Sequence, residues 1–113
     1  MATLTFRQMG PWSVLTLMGE IQTFADAATL RAVLFDRLGR EDLRLAIDLS
    51  ELSYIGSGGI GVLAQAQQEL EKSGRSLVLV GASSSVRHLL EIVSLDRVIL
   101  FVDRLEELSA MAA

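Results

Sequence analysis

Two kinds of hydrophobic spacing alternate along this chain. Thr3–Phe6 and Ser13–Met18 are short, rich in β-forming residues and separated by Gly10-Pro11, which predicts an antiparallel pair at the N-terminus. Leu30, Val33, Leu34 and Leu38 then recur at helical spacing, with Thr23 and Asp26 placed as a capping pair and Gly39 as the stop. Leu43, Leu45, Ile47 and Leu49 alternate with Arg44, Ala46 and Asp48, the pattern of a strand with one strongly buried face. After a loop, Ile60, Leu63, Gln67 and Leu70 lie along one stripe of a second helix that ends near Gly74. Leu77–Val80 is apolar throughout and of strand length. Val86, Leu89, Leu90 and Val93 make a third helical stripe, preceded by the capping triplet Ser83–Ser85. Val98–Val102 predicts another strand, and Asp103 with Glu106 opens a last short helix through Leu105, Leu108 and Met111.

The predicted order is β-β-α-β-α-β-α-β-α. Uninterrupted runs such as 77–80 and 98–102 suit strands covered on both faces, which helical crossovers produce. The fold class is therefore α/β, a mixed and mostly parallel sheet of about five strands with about four helices. A length of 113 residues suffices for one domain, spanning 1–113, and not for two.

Composition narrows the chemistry. Ten Lys and Arg against fourteen Asp and Glu leave a net charge of −4, with the bases scattered singly. No patch could neutralise a row of phosphates, so neither nucleic acid nor an anionic membrane surface is an expected partner. A charged partner would be basic at the contact. The absence of cysteine excludes a disulfide framework, a thiol nucleophile and thiolate metal sites. The start MATLTFRQMGPW lacks the features of a signal peptide, and no apolar stretch approaches membrane-spanning length. These features predict a soluble cytoplasmic protein without metal or cofactor.

The segment Asp48-Leu-Ser-Glu-Leu-Ser-Tyr-Ile-Gly-Ser-Gly-Gly-Ile-Gly61 resembles the signature of STAS domains of the anti-sigma factor antagonist type. There a strand ending in Asp-Leu-Ser leads through an aromatic-apolar pair to an Asp-Ser-Ser-Gly-Leu-Gly-like turn that opens a helix. Gly19-Glu20-Ile21 with Ala25–Leu30, Gly74–Gly81 and Val86–Asp96 resemble further stretches of the family in order and spacing, so the likeness covers nearly the whole chain. The resemblance implies a non-enzymatic switch. Its phosphoacceptor serine maps onto Ser57, with Tyr54, Ile55, Gly56, Gly58, Gly59 and Ile60 as the surrounding partner-binding segment. It also implies an anti-sigma factor of the serine-kinase type that binds the unphosphorylated protein, a PP2C-type phosphatase that restores it, and a monomer or weak dimer. One position departs from the pattern: Gly56 stands where the motif has aspartate.

Each of these residues also has a plainer role. From spacing alone Ser57 is an N-cap for the second helix. Tyr54, Ile55 and Ile60 are core candidates, with at least one expected inside. Residues 56–61 match Gly-x-Gly-x-x-Gly, but a dinucleotide site needs that motif directly after a strand, with an acid at the end of the next strand. Six loop residues are expected to intervene, and Val80-Gly81 supplies no acid. His88 is expected at the surface, Asp48 at a strand end and Glu51 as a solvated loop charge. Two other functions compete with the switch: an unphosphorylated STAS scaffold or transporter accessory subunit, favoured by Gly56, and a small-ligand binder, disfavoured by the lack of a basic pair.

Overall fold

The computed structural model describes residues 2–39 and 44–111. Strand β1 (Ala2–Met9) turns at Gly10, whose φ of 58° suits glycine, and pairs antiparallel with β2 (Trp12–Ile21). Helix α1 (Phe24–Leu38) leads to β3 (Arg44–Ile55), α2 (Ser57–Glu71) to β4 (Val78–Val80), and α3 (Ser84–Ile92) to β5 (Leu100–Val102). Short 3-10 helices cover Leu95–Arg97 and Leu105–Ala110. The sheet runs β1-β2-β3-β4-β5, with β2 through β5 parallel. The predicted mixed sheet of five strands is thus observed. Leu43, expected to begin β3, lies outside the described residues.

Because the parallel strands step across the sheet in one direction, crossovers of one hand place all three α-helices on one face. The alternation of side chains follows from this. Leu15, Leu17, Leu45, Ile47, Leu49 and Leu79 point into the larger core with Leu30, Leu34, Leu63, Leu70, Val86 and Leu90 of the helices. Trp12, Val14, Ala46, Val78 and Val80 point the other way, against Leu108 of the C-terminal 3-10 helix. Trp12 Nε1 donates to the Leu108 carbonyl at 3.1 Å and anchors that helix. The two-sided burial predicted from apolar runs is real for β4. Its second cover, however, is the chain's end and not a crossover.

The Thr23/Asp26 cap is formed as predicted. Thr23 Oγ1 accepts from the Asp26 N–H, while the Asp26 carboxylate accepts from the Thr23 and Gln22 N–H groups. Those two backbone donors, Thr23 first, hold the Asp26 carboxyl below its ordinary pKa. Ser83 caps α3 through the Val86 N–H.

Four expectations need correction. Residues 50–55 are strand, not loop, because β3 continues to Ile55. Two register shifts against β2 insert extra residues in β3, so Leu52 and Ile55 both reach the core three positions apart and break the period of two. Val93 leaves the α3 stripe and is exposed, since Ser94 at φ 60° turns the chain away after Ile92. β5 begins only at Leu100, because the Val98 and Ile99 N–H groups bond back to the Leu95 carbonyl. The last helix is 3-10 and is closed by Glu107, whose carboxylate accepts from the Asp103 and Arg104 N–H groups, and not by Asp103 with Glu106.

Candidate functional site

The end of β2 and the end of β3 lie side by side, and the Gly56 N–H donates to the Ile21 carbonyl at 2.8 Å across them. This bond aligns two strand-to-helix turns, Ile21–Phe24 and Tyr54–Gly59, at the C-terminal ends of parallel strands. A cleft of about 300 Å³ opens between the turns, lined by Ile21, Gln22, Thr23, Phe24, Ala27, Tyr54 and Gly56–Gly59.

Ser57 is exposed on this cleft, at the first position of α2. It is not the cap. Gly56 occupies that position with φ −87° and ψ 177°, and no side chain accepts from the first turn. The N-terminus of α2 therefore keeps its backbone donors and positive dipole end available to an anion beside Ser57.

The glycines around it serve different ends. A Cβ on Gly59 would come within 2.7 Å of Ile21 Cγ2 and 2.8 Å of Ile55 Cγ1, so only glycine lets α2 seat against the ends of β2 and β3. A Cβ on Gly58 would stand 3.2 Å from Ala27 Cβ, where the starts of α1 and α2 touch. At Gly56 the nearest atoms to a Cβ are 3.6 Å away, so the backbone there accepts a Cβ. Gly56→Asp should add the missing cap and raise unfolding stability by a few tenths to about 1 kcal/mol. Urea denaturation checks this, and a loss of stability would show that the turn rejects the side chain.

The partner-binding segment predicted from sequence divides by burial. Ile55 is 0% exposed and Gly59 is buried, so they shape the turn from inside. Tyr54 (40% exposed), Gly56, Ser57, Gly58 and the half-buried Ile60 reach the surface. The sequence reading missed Phe24, which is 90% exposed on the opposite lip of the cleft. Its signal was available: an aromatic residue directly after the Thr23 cap, outside the Leu30–Leu34–Leu38 stripe.

Catalytic readings find no support among the described residues. His88 is exposed on α3 and does not line the cleft. Arg87 stacks on the Phe101 ring at 4.8 Å and meets Glu91 at 3.4 Å. Asp48 lies within β3 rather than at its end, buried, and accepts from the Ser50 N–H at 3.0 Å. Glu51 is exposed on the same strand. No cluster of three or more metal-binding side chains occurs among the described residues. The glycine motif does follow a strand directly, contrary to expectation. The second requirement still fails, because β4 ends at Val80 and is followed by Gly81 and Ala82.

Known proteins place this geometry. The anti-sigma-B factor antagonist of Listeria monocytogenes is 40% identical over 60 residues, a match spanning 53% of this chain and 53% of that relative. The chain thus matches about half the length of this curated relative. An anti-sigma factor antagonist from Mycobacterium paratuberculosis superposes with a TM-score of 0.84 at 23% identity, over 97% of this chain and 93% of the other. The Bacillus cell fate determinant SpoIIAA in its phosphorylated form gives 0.74 at 17% identity, covering 96% and 98%. At these identities the two structures establish a common fold. The family model for the STAS domain matches residues 4–108, and the chain belongs to the STAS domain family.

Proposed function

We propose that this chain is an anti-sigma factor antagonist, a binding protein and not an enzyme, switched by phosphorylation of Ser57. The observation that carries the proposal is the placement of Ser57: exposed, uncapped and flanked by glycines, at a helix start on a cleft lined by Phe24 and Tyr54. An acceptor hydroxyl needs such access for in-line attack on a phosphoryl donor held by a partner kinase. Once formed, the phosphoserine carries about −1.5 to −2 charges. The free N–H groups of α2 stabilise that charge within the chain, while a partner seated on Phe24 and Tyr54 meets it as bulk and desolvation cost. The unphosphorylated protein binds the anti-sigma factor, and a PP2C-type phosphatase resets it. The relatives named as antagonists support this reading.

Titration of the anti-sigma factor with Ser57 variants is the test. Ser57→Ala retains binding and accepts no phosphate, whereas Ser57→Asp binds about ten-fold or more weakly. The aspartate variant should nonetheless be as stable as wild type or slightly more so, because a carboxylate at a helix start is favourable by about 0.3–1 kcal/mol. Equal affinities of the two variants would sink the switch. Fragmentation mass spectrometry across residues 44–75 of protein from its native host locates the phosphate. The missing aspartate at Gly56 favours a second reading, an unphosphorylated STAS scaffold, and absence of phosphate under every growth condition would select it.

A further inference from the structure

We infer that the sheet edge remote from Ser57 is a contact surface between two copies of this chain. Among the described residues six large hydrophobic side chains are exposed, and two of them, Phe24 and Tyr54, flank the Ser57 cleft. The other four, Ile92, Val93, Val98 and Leu100, are 49–65% exposed and fall within one short stretch. That stretch runs from the last residue of α3 through the Leu95–Arg97 turn to the first residue of β5, and the turn packs against both neighbours. Between the exposed residues, Leu95 and Ile99 are buried and pin the segment to the core. Its outward apolar side chains are therefore held in place. Surface apolar residues are ordinarily scattered singly, and four gathered on one short segment point to an interaction site. β5 is also an edge strand, hydrogen-bonded to β4 alone.

Charge identifies the occupant as a second copy. Asp96 and Arg97 sit side by side in the turn, amid the four apolar residues. Both are exposed, and neither forms an ion pair with another described residue. An adjacent acid and base are self-complementary under a two-fold axis: Asp96 meets Arg97 of the second copy, and Arg97 meets its Asp96. A partner of one sign would satisfy only one of them. The contact leaves the switch site open. Leu100 aligns through Val78 and Ala46 with Val14, seven residues before Ile21 at the Ser57 turn, which places it about 23 Å of strand away. The inference is accordingly independent of the role of Ser57.

Sedimentation equilibrium on the full chain tests it, using Asp96→Arg and Arg97→Asp. Wild type should show a concentration-dependent monomer–dimer equilibrium, and each single variant a dissociation constant raised about ten-fold or more by like-charge contact. Mixing the two variants should restore association, because one copy then presents two bases and the other two acids. Both positions are exposed, so circular dichroism should show unchanged folds. A wild type that stays monomeric to roughly 1 mM, where even weak association is seen, overturns the inference and leaves the face to a partner of other chemistry. Variants that dimerise like wild type, or a mixture that stays monomeric, overturn it as well.

Discussion

Replacing Gln67 by leucine should lower the unfolding free energy by about 2–3 kcal/mol, although the two side chains are similar in volume. Gln67 is 3% exposed in the middle of α2, and its amide joins three parts of the fold. Oε1 accepts from the buried Leu77 N–H at 2.8 Å, at the entry to β4. Nε2 donates to the Val98 carbonyl at 3.0 Å, on the approach to β5, and lies 3.1 Å from Ser76 Oγ. A leucine leaves the Leu77 donor in an apolar surrounding without an acceptor, and such a group costs about 1–3 kcal/mol. The Val98 carbonyl is orphaned at the same time, offset in part by the gain from burying an apolar side chain. Urea denaturation gives the total, and hydrogen exchange at the Leu77 amide gives the local effect. Gln67→Glu separates the causes: its carboxylate still accepts from Leu77 but confronts the Val98 carbonyl and the Glu71 carboxylate. Burial and that like charge raise its folded pKa above the unfolded value. Stability should then be present at acidic pH and lost as pH rises through the raised value. A leucine variant as stable as wild type would show that the network contributes nothing net.

Two alanine substitutions two positions apart should act in opposite directions. Gly59→Ala should destabilise by about 1–2 kcal/mol, the net of overpacking at about 1–3 kcal/mol and a smaller gain in helix propensity. The crowded atoms belong to Ile21 and Ile55, both essentially fully buried, so neither can swing aside. Gly61→Ala should stabilise by about 0.5–1 kcal/mol, because a Cβ there meets nothing within 4 Å. At roughly 4 °C per kcal/mol, the melting temperatures of the two variants should differ by about 6–12 °C. The sign at Gly59 is the critical observation. If alanine there stabilised the protein, the start of α2 could move away from the sheet, and the position of Ser57 would not be set by this packing. Loss of anti-sigma factor binding in the Gly59 variant alone would connect the packing to the proposed switch.

Short-range physics was enough to predict much of this protein. The hairpin at Gly10-Pro11, the capping box of Thr23 and Asp26 and the cap at Ser83 rest on residues within four positions of one another, so they read directly from the chain. The motif around Ser57 was legible for the same reason, down to an aspartate replaced by glycine. Periodicity failed where the tertiary partner altered it. The bulges that β2 imposes on β3 hid the strand through residues 50–55, and the Leu95 carbonyl withheld Val98 and Ile99 from β5.

The sequence by itself determined the element order, the family and the identity of the candidate serine, because these depend on local spacing and motif. Only the tertiary structure decided which of its neighbours reach the surface of the cleft. Tyr54 and Ile55 are adjacent and both apolar, yet one is exposed and the other sealed against Gly59, a difference set by the register of β3 against β2. Phe24 reaches the same cleft from a different turn only because the Gly56 N–H bonds to the Ile21 carbonyl across two parallel strands. Contacts between residues 32 positions apart leave no periodic trace in the chain, so the site's second lip appears only once the strands are paired.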